Sequence, residues 1–127
     1  MKILSTKFKD LKIINGVTFA DKRGFFREIY RNTFFKKKKF IFWFCSMSKK
    51  NVIRGLHLQT KFKQGKFLAV LKGEIFDVAV DLRKNSKTYG KYFSIYLSEK
   101  NSKSVFLPAG FAHGFCGLDK KNQVLYG

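Results

Sequence analysis

Apolar and polar residues alternate along this chain in short stretches, divided by turns rich in Gly, Asn, Asp and Lys. On that pattern eight segments read as β-strands: 25–30, 40–46, 52–58, 66–72, 75–81, 92–97, 104–107 and 112–118. Two of them alternate cleanly. In 75–81, Phe76, Val78 and Val80 share one face, and Asp77, Ala79 and Asp81 share the other. In 92–97, Phe93, Ile95 and Leu97 oppose Tyr92, Ser94 and Tyr96. No stretch keeps a helical period for three turns. Short strands at this spacing predict an all-β sandwich or barrel, with a jelly roll as the leading form. Neither a linker nor a repeat divides the chain, so one domain over residues 1–127 is expected. Residues 123–127 read as a strand in progress with no polar tail after it, which predicts a chain truncated at its carboxyl end.

Composition narrows the class. Hydrophobic residues make up 45% and aromatics 17%, with 16 Phe, which supplies a core and excludes intrinsic disorder. One Pro and ten Gly exclude collagen-like and Pro-rich chains. No apolar run approaches the roughly 18–20 residues of a membrane span. Lys7, Lys9 and Asp10 interrupt the amino terminus before a signal-peptide core can form. A soluble, cytoplasmic protein with no membrane partner is expected.

The net charge is +19, from 27 basic and 8 acidic residues. Such a field draws anions and makes nucleic acid the first partner to weigh. The lysines are spread along the chain, however, and only Lys36, Lys37, Lys38 and Lys39 form a block, in an expected loop. Solvated faces are the plainer explanation, and nucleic acid is disfavoured. Cys45 and Cys116 each sit in an apolar run and are expected to be buried free thiols.

The two histidines, His57 and His113, carry the candidate chemistry. A lone His on a strand is more often a hydrogen-bonded structural residue than a catalyst, but the surroundings of His57 are unusual. Arg54, His57, Gln59, Gln64 and Lys66 occur on segments whose other members are apolar. Burying such groups unpaired costs about 1–3 kcal/mol each, so a cavity for a polar anionic ligand is the better explanation. Arg54 and His57, three apart, cannot share a face of a regular strand, and Gly55 between them is placed to bend it. Two histidines without a nearby Glu fall short of a catalytic metal shell, and no cofactor is expected. No G-x-S-x-G elbow, P-loop or G-x-G-x-x-G is present. What remains is acid–base chemistry with His57 as base and Lys66 as a fixed cation.

Five ordered motifs resemble the dTDP-4-dehydrorhamnose 3,5-epimerases of the cupin superfamily. These are Asp21-Lys22-Arg23-Gly24-Phe25-Phe26-Arg27-Glu28, Val52-Ile53-Arg54-Gly55-Leu56-His57-Leu58-Gln59, the run from Gly73 to Arg83, Leu97-Ser98-Glu99-Lys100-Asn101, and Leu107-Pro108-Ala109-Gly110-Phe111-Ala112-His113-Gly114-Phe115. The likeness continues to Leu125-Tyr126. It implies a cupin-type jelly roll (a double-stranded β-helix) lacking its C-terminal segment. It also implies a homodimer with exchanged N-terminal strands that binds a nucleotide-diphosphate 4-keto sugar without metal, in the synthesis of rhamnose-type deoxysugars for lipopolysaccharide or capsule.

By the same resemblance His57 is the base that removes the proton beside the ketone, and Lys66 stabilises the enolate oxygen. Tyr126 stands near the sugar in the acid region. Arg54 contacts sugar and diphosphate, with Gln59 beside it, and Arg23 and Glu28 contact the nucleotide, often from the neighbouring subunit. His113 and Asp77 support the site. Two departures accompany the likeness. Phe42 and Phe44 stand where family members carry Gln-x-Asn, and the tail that supplies an Asp for the catalytic His and a further Tyr is missing. Three functions follow in order: an epimerase of a nucleotide 4-keto-6-deoxy sugar, or of another nucleotide sugar such as a GDP-linked heptose; a degenerate nucleotide-sugar-binding cupin; and a nucleic-acid-binding β-barrel.

Overall fold

The computed structural model describes residues 1–35 and 40–127, so the block Lys36 to Lys39 lies outside the described residues. The strands are β1 (Lys2–Ser5), β2 (Lys12–Asn15), β3 (Thr18–Asp21), β4 (Gly24–Arg27), β5 (Phe44–Ser48), β6 (Ile53–His57), β7 (Lys66–Lys72), β8 (Glu74–Asp81), β9 (Tyr92–Ser98), β10 (Lys103–Leu107), β11 (Phe111–Gly117) and β12 (Asn122–Tyr126). A short 3₁₀ turn spans Asn32–Phe35. Two antiparallel sheets, β1-β2-β10-β7-β12-β5 and β6-β11-β8-β9, form the jelly roll, and β3-β4 stands apart as a hairpin.

The core lies between the sheets, where Leu68, Val70, Val105 and Val124 of the larger sheet meet Ile75, Ala79, Leu97 and Phe115 of the smaller. Burying one such large side chain contributes about 1.5–3 kcal/mol. A second cluster covers the outer face of the larger sheet, where Phe67, Ala69 and Phe106 pack beneath Phe35, Tyr30 and Phe40. β7 is therefore buried on both faces, which is why Phe67-Leu68-Ala69-Val70-Leu71 is apolar without alternation.

The alternating run of β8 points the opposite way from a hydrophobic-in pattern. Asp77 and Asp81 are fully buried, while Phe76, Val78 and Val80 are only half-buried on the outer face. Asp81 accepts hydrogen bonds from Arg83 Nε (2.9 Å) and Nη2 (2.7 Å) and from the hydroxyls of Ser86 and Thr88 (2.6 Å each). Burial opposes its ionisation, but these donors outweigh burial and hold the carboxyl well below the usual Asp range.

Strands 66–72, 75–81, 92–97, 104–107 and 112–118 match β7 to β11 within one residue at each end. β5 begins at Phe44 rather than at 40, because Phe40 and Trp43 instead pack on Phe67, with ring centroids 6.1 and 5.8 Å away. β1, β2 and β3 were not foreseen; at four residues each they are too short to show an alternation. The expectation of two buried thiols is corrected: Cys45 is exposed and Cys116 half-buried, and both are free. β5 is the sheet's edge strand, and Cys45 points opposite to Phe44 and Ser46, on a side with little to cover it.

Candidate active site

One end of the sandwich opens into a cavity of about 1020 Å³. Register explains which side chains meet there. β5 starts where β12 ends, with Phe44 opposite Tyr126, and Tyr126 lies opposite Leu68 of β7. Gly127 exchanges two backbone hydrogen bonds with Phe67, of 2.8 and 3.0 Å, which closes the strand ends beside Lys66. On the other sheet His57, the last residue of β6, lies opposite His113 of β11.

Arg54 and His57 both line the cavity despite their three-residue spacing. The ladder between β6 and β11 shifts register between His113 and Phe115, opposite Gly55. Gly55 has φ +110°, and a Cβ there would lie 2.6 Å from Gly114 Cα and from His113 O. Only glycine fits that turn of the chain, so the bend expected from the sequence is present.

The floor is made of buried and half-buried groups, Asp77, His113, Tyr126 and Lys66. Asp77 is 0% exposed and His113 5%, and His113 Nε2 lies 2.7 Å from Asp77 Oδ1. Asp77 Oδ2 is buried with no hydrogen-bond partner among the described residues. The Tyr126 hydroxyl is 3.1 Å from Ser46 Oγ, a residue the sequence reading did not single out. Its signal was its position two residues after Phe44, on the same side of β5. Burial pushes the Tyr126 phenol above its ordinary value, against a smaller opposing effect of the Ser46 hydrogen bond. Burial likewise lowers the Lys66 ammonium from the ordinary lysine value, and the nearby Asp77 carboxylate partly offsets this.

The mouth is different. His57 and Gln59 are exposed and make no side-chain hydrogen bond to a described residue. Arg54 is tied through its guanidinium, donating from Nε to Ser48 Oγ (2.8 Å) and from Nη2 to Met47 O (3.1 Å). Lys63 and Gln64 add polar groups to one rim, and Ile41, Phe42 and Phe44 make the other. Among the described residues no three His, Cys, Asp or Glu side chains gather as a metal-ligand set.

Arg23 and Glu28 are not brought to this cavity within the protomer. Arg23 sits on the tip of the β3-β4 hairpin and pairs with Asp21 (2.6 Å), and Glu28 pairs with Arg31 (2.6 Å). The hairpin is exposed throughout apart from Arg27, and it carries Phe19, Phe25 and Phe26 bare. Of the expected site residues, His57, Lys66, Tyr126, Arg54, Gln59 and His113 line one cavity, and Asp77 lies directly behind His113.

The family model described as dTDP-4-dehydrorhamnose 3,5-epimerase matches residues 5–127. The protein of that name from Neisseria gonorrhoeae is 44% identical over 130 residues, which is 99% of this chain and 40% of the relative. The one from Methanothermobacter thermautotrophicus is 42% identical over 129 residues, covering 98% of this chain and 70% of the relative. The chain thus spans less than half of the first relative and about seven-tenths of the second. A crystal structure of dTDP-6-deoxy-D-glucose-3,5-epimerase from Legionella pneumophila, in complex with dTDP-4-keto-L-rhamnose, superposes with a TM-score of 0.93 at 39% identity. It covers 98% of this chain and 69% of that one. Among the described residues no helix is long and apolar enough to cross a membrane. With its cupin-type jelly roll and these likenesses, the chain belongs to the dTDP-4-dehydrorhamnose 3,5-epimerase family of isomerases.

Proposed function

We propose that this chain epimerises a nucleotide-diphosphate 4-keto-6-deoxy sugar, in the manner of a dTDP-4-dehydro-6-deoxyglucose 3,5-epimerase. The observation that carries the reading is that His57, Lys66 and Tyr126 reach one cavity from three different strands. A C–H beside a ketone is too weakly acidic for imidazole alone. His57 removes that proton, and the electron pair moves onto the ketone oxygen. The Lys66 ammonium faces the resulting enolate oxygen; removing one such donor typically costs about 2.7–4 kcal/mol. Tyr126, a phenol protonated at neutral pH and made a weaker acid still by burial, returns a proton from the opposite face and inverts the centre. Its phenolate then regains a proton from the His57 imidazolium through solvent, which restores both groups.

Arg54 and Gln59 serve the diphosphate and sugar, and the Asp77–His113 pair fixes the floor against which the sugar rests. Arg23 and Glu28 reach the nucleotide from a second copy, in a homodimer that exchanges its amino-terminal strands. The bare aromatics of the β3-β4 hairpin support that arrangement. So does the outer face of the smaller sheet, where Ile53 is 73%, Tyr92 68% and Tyr96 56% exposed. Residues 1–127 make one cupin-like jelly-roll domain, and the cytoplasm is its compartment.

Deuterium entry from heavy water at C3 and C5 of a dTDP-linked 4-keto-6-deoxy sugar tests the reaction. Entry at either carbon, slowed about 10²–10⁴-fold in His57→Ala, is the expected result. Exchange at the same rate in that variant removes His57 from the role of base. The second reading, a nucleotide-sugar binder without turnover, is favoured by the lack, among the described residues of the cavity, of a carboxylate beside His57. Tight binding with no exchange, for dTDP- and GDP-linked 4-keto sugars alike, would decide for it.

A further inference from the structure

Phe42 and Phe44 lie two residues apart, so their side chains leave the backbone on the same side, and both line the cavity. Their ring centroids are 5.0 Å apart at an interplanar angle of 56°. They are 49% and 61% exposed. The aromatics beside them behave differently: Phe40 and Trp43 pack against Tyr30 and Phe67. Phe42 and Phe44 are thus exposed rings on the cavity wall, whereas Phe40, which also lines the cavity, and Trp43, 39% exposed, lean on Tyr30 and Phe67.

Register places the pair relative to the chemistry. Phe44 is the cross-strand neighbour of Tyr126, and Phe42 continues the same wall away from Ser46, before β5 begins. With the sugar ring among Tyr126, Lys66 and His57, the part of the ligand that passes Phe44 and Phe42 is the part beyond the sugar. Arg54 and Lys63 line the same cavity and suit the diphosphate charges. A phenyl ring offers neither donor nor acceptor to a phosphate or a ribose hydroxyl. It does offer a flat face to an aromatic base, and such stacking tolerates any base because every base has a π-face.

Resting on the nucleotide-sugar reading above, we propose that Phe42 and Phe44 form a stacking platform for the nucleobase. The site then reads the base by its flat face rather than by its hydrogen-bonding edge. Pyrimidine and purine nucleoside diphosphates bind this protein with affinities within about tenfold of each other.

Calorimetric titration of dTDP, UDP, GDP and inorganic pyrophosphate into the full chain tests this without requiring turnover. The comparison is with Phe42→Leu and Phe44→Leu, which keep an apolar side chain and remove the flat ring. Each variant is expected to weaken all three nucleotides by about five- to a hundredfold, the range of one base–aromatic stack. Pyrophosphate affinity should stay unchanged, which also reports that the site is still folded. Unaltered nucleotide affinity in both variants overturns the platform while the nucleotide-sugar reading stands. GDP binding more than a hundredfold weaker than dTDP overturns reading by the flat face. If no nucleoside diphosphate binds the unaltered protein, the nucleotide-sugar reading falls and the platform with it.

Discussion

The two histidines of the cavity face each other across one ladder, yet they belong to different kinds of structure. His113 is buried and held 2.7 Å from a carboxylate that is itself inaccessible to solvent. His57, opposite it, is exposed and has no hydrogen-bonded side chain beside it among the described residues. The same division runs through the whole site. Asp77, His113, Tyr126 and Lys66 are positioned by the two sheets of one protomer, whereas His57, Gln59, Phe42 and Phe44 look outward from strand ends. A buried polar group must be satisfied by the fold, because leaving it unpaired costs about 1–3 kcal/mol. An exposed one is satisfied by water until a ligand or a second copy arrives. The floor is therefore set within one protomer, with Asp77 Oδ2 its one buried oxygen lacking a described partner, and the mouth depends on what enters or covers it.

The largest effect that tests this division comes from the floor. Lys66→Ala should slow deuterium exchange by about 10²–10³-fold, the usual loss for an oxyanion donor. The alkaline limb of the rate gives the sharper test. Burial favours the neutral amine, so Lys66 releases its proton at a pH below the value of about 10.4 that an ordinary lysine has. The rate should therefore begin to fall below that pH as the cation is lost. Arg stays charged throughout, so in Lys66→Arg that limb should disappear, whatever the overall rate. An identical alkaline limb in Lys66→Arg would show that another group produces it.

The same division governs how much the sequence made legible. Strands β7 to β11 were readable because each is a run of five or more residues rich in apolar side chains, with clean alternation in β8 and β9. The polar set Arg54, His57, Gln59, Gln64 and Lys66 was readable as a cavity because such residues gather on and between largely apolar segments, and all five line it. Which face of β8 points inward was not legible. Periodicity says that Asp77 and Asp81 share a face, but not that Arg83, Ser86, Thr88 and His113 await them inside. The Tyr126–Ser46 contact joins residues 80 positions apart and follows only from the β5-β12 register. Arg23 and Glu28 could be matched to a nucleotide site by motif, yet their own protomer holds them in local ion pairs away from the cavity.

A smaller effect belongs to the mouth. If a second copy completes it, then placing a charge on the bare outer face of the smaller sheet should weaken self-association. Tyr96→Lys puts a cation on each of two symmetry-related surfaces, outside the cavity, and is expected to raise the dimer dissociation constant at least about thirtyfold, as a central interface residue does. Sedimentation velocity reads this directly. Because the floor is untouched, dilution of that variant should raise the KM for the nucleotide sugar more than it lowers kcat. A dimer of undiminished strength would remove this face from the interface, and a monomer in the unaltered protein would remove the exchange of strands altogether.

The smallest change in stability, and the most discriminating for the floor, is Asp77→Asn. The amide keeps an oxygen within reach of His113 Nε2 and fills the same volume. It also replaces a buried carboxylate whose second oxygen has no described partner. The variant keeps the volume and a hydrogen-bond acceptor for His113, and the oxygen it replaces on the other side had no described partner, so the melting temperature should move by only a few degrees. The His113 imidazole nevertheless loses the negative group behind it, and Lys66 loses the carboxylate that favours its charged form. Both losses weaken the positive face turned to the enolate oxygen, and the alkaline limb of the rate should shift to still lower pH. A purely structural Asp77 predicts the reverse combination, a lower melting temperature with the pH profile unmoved.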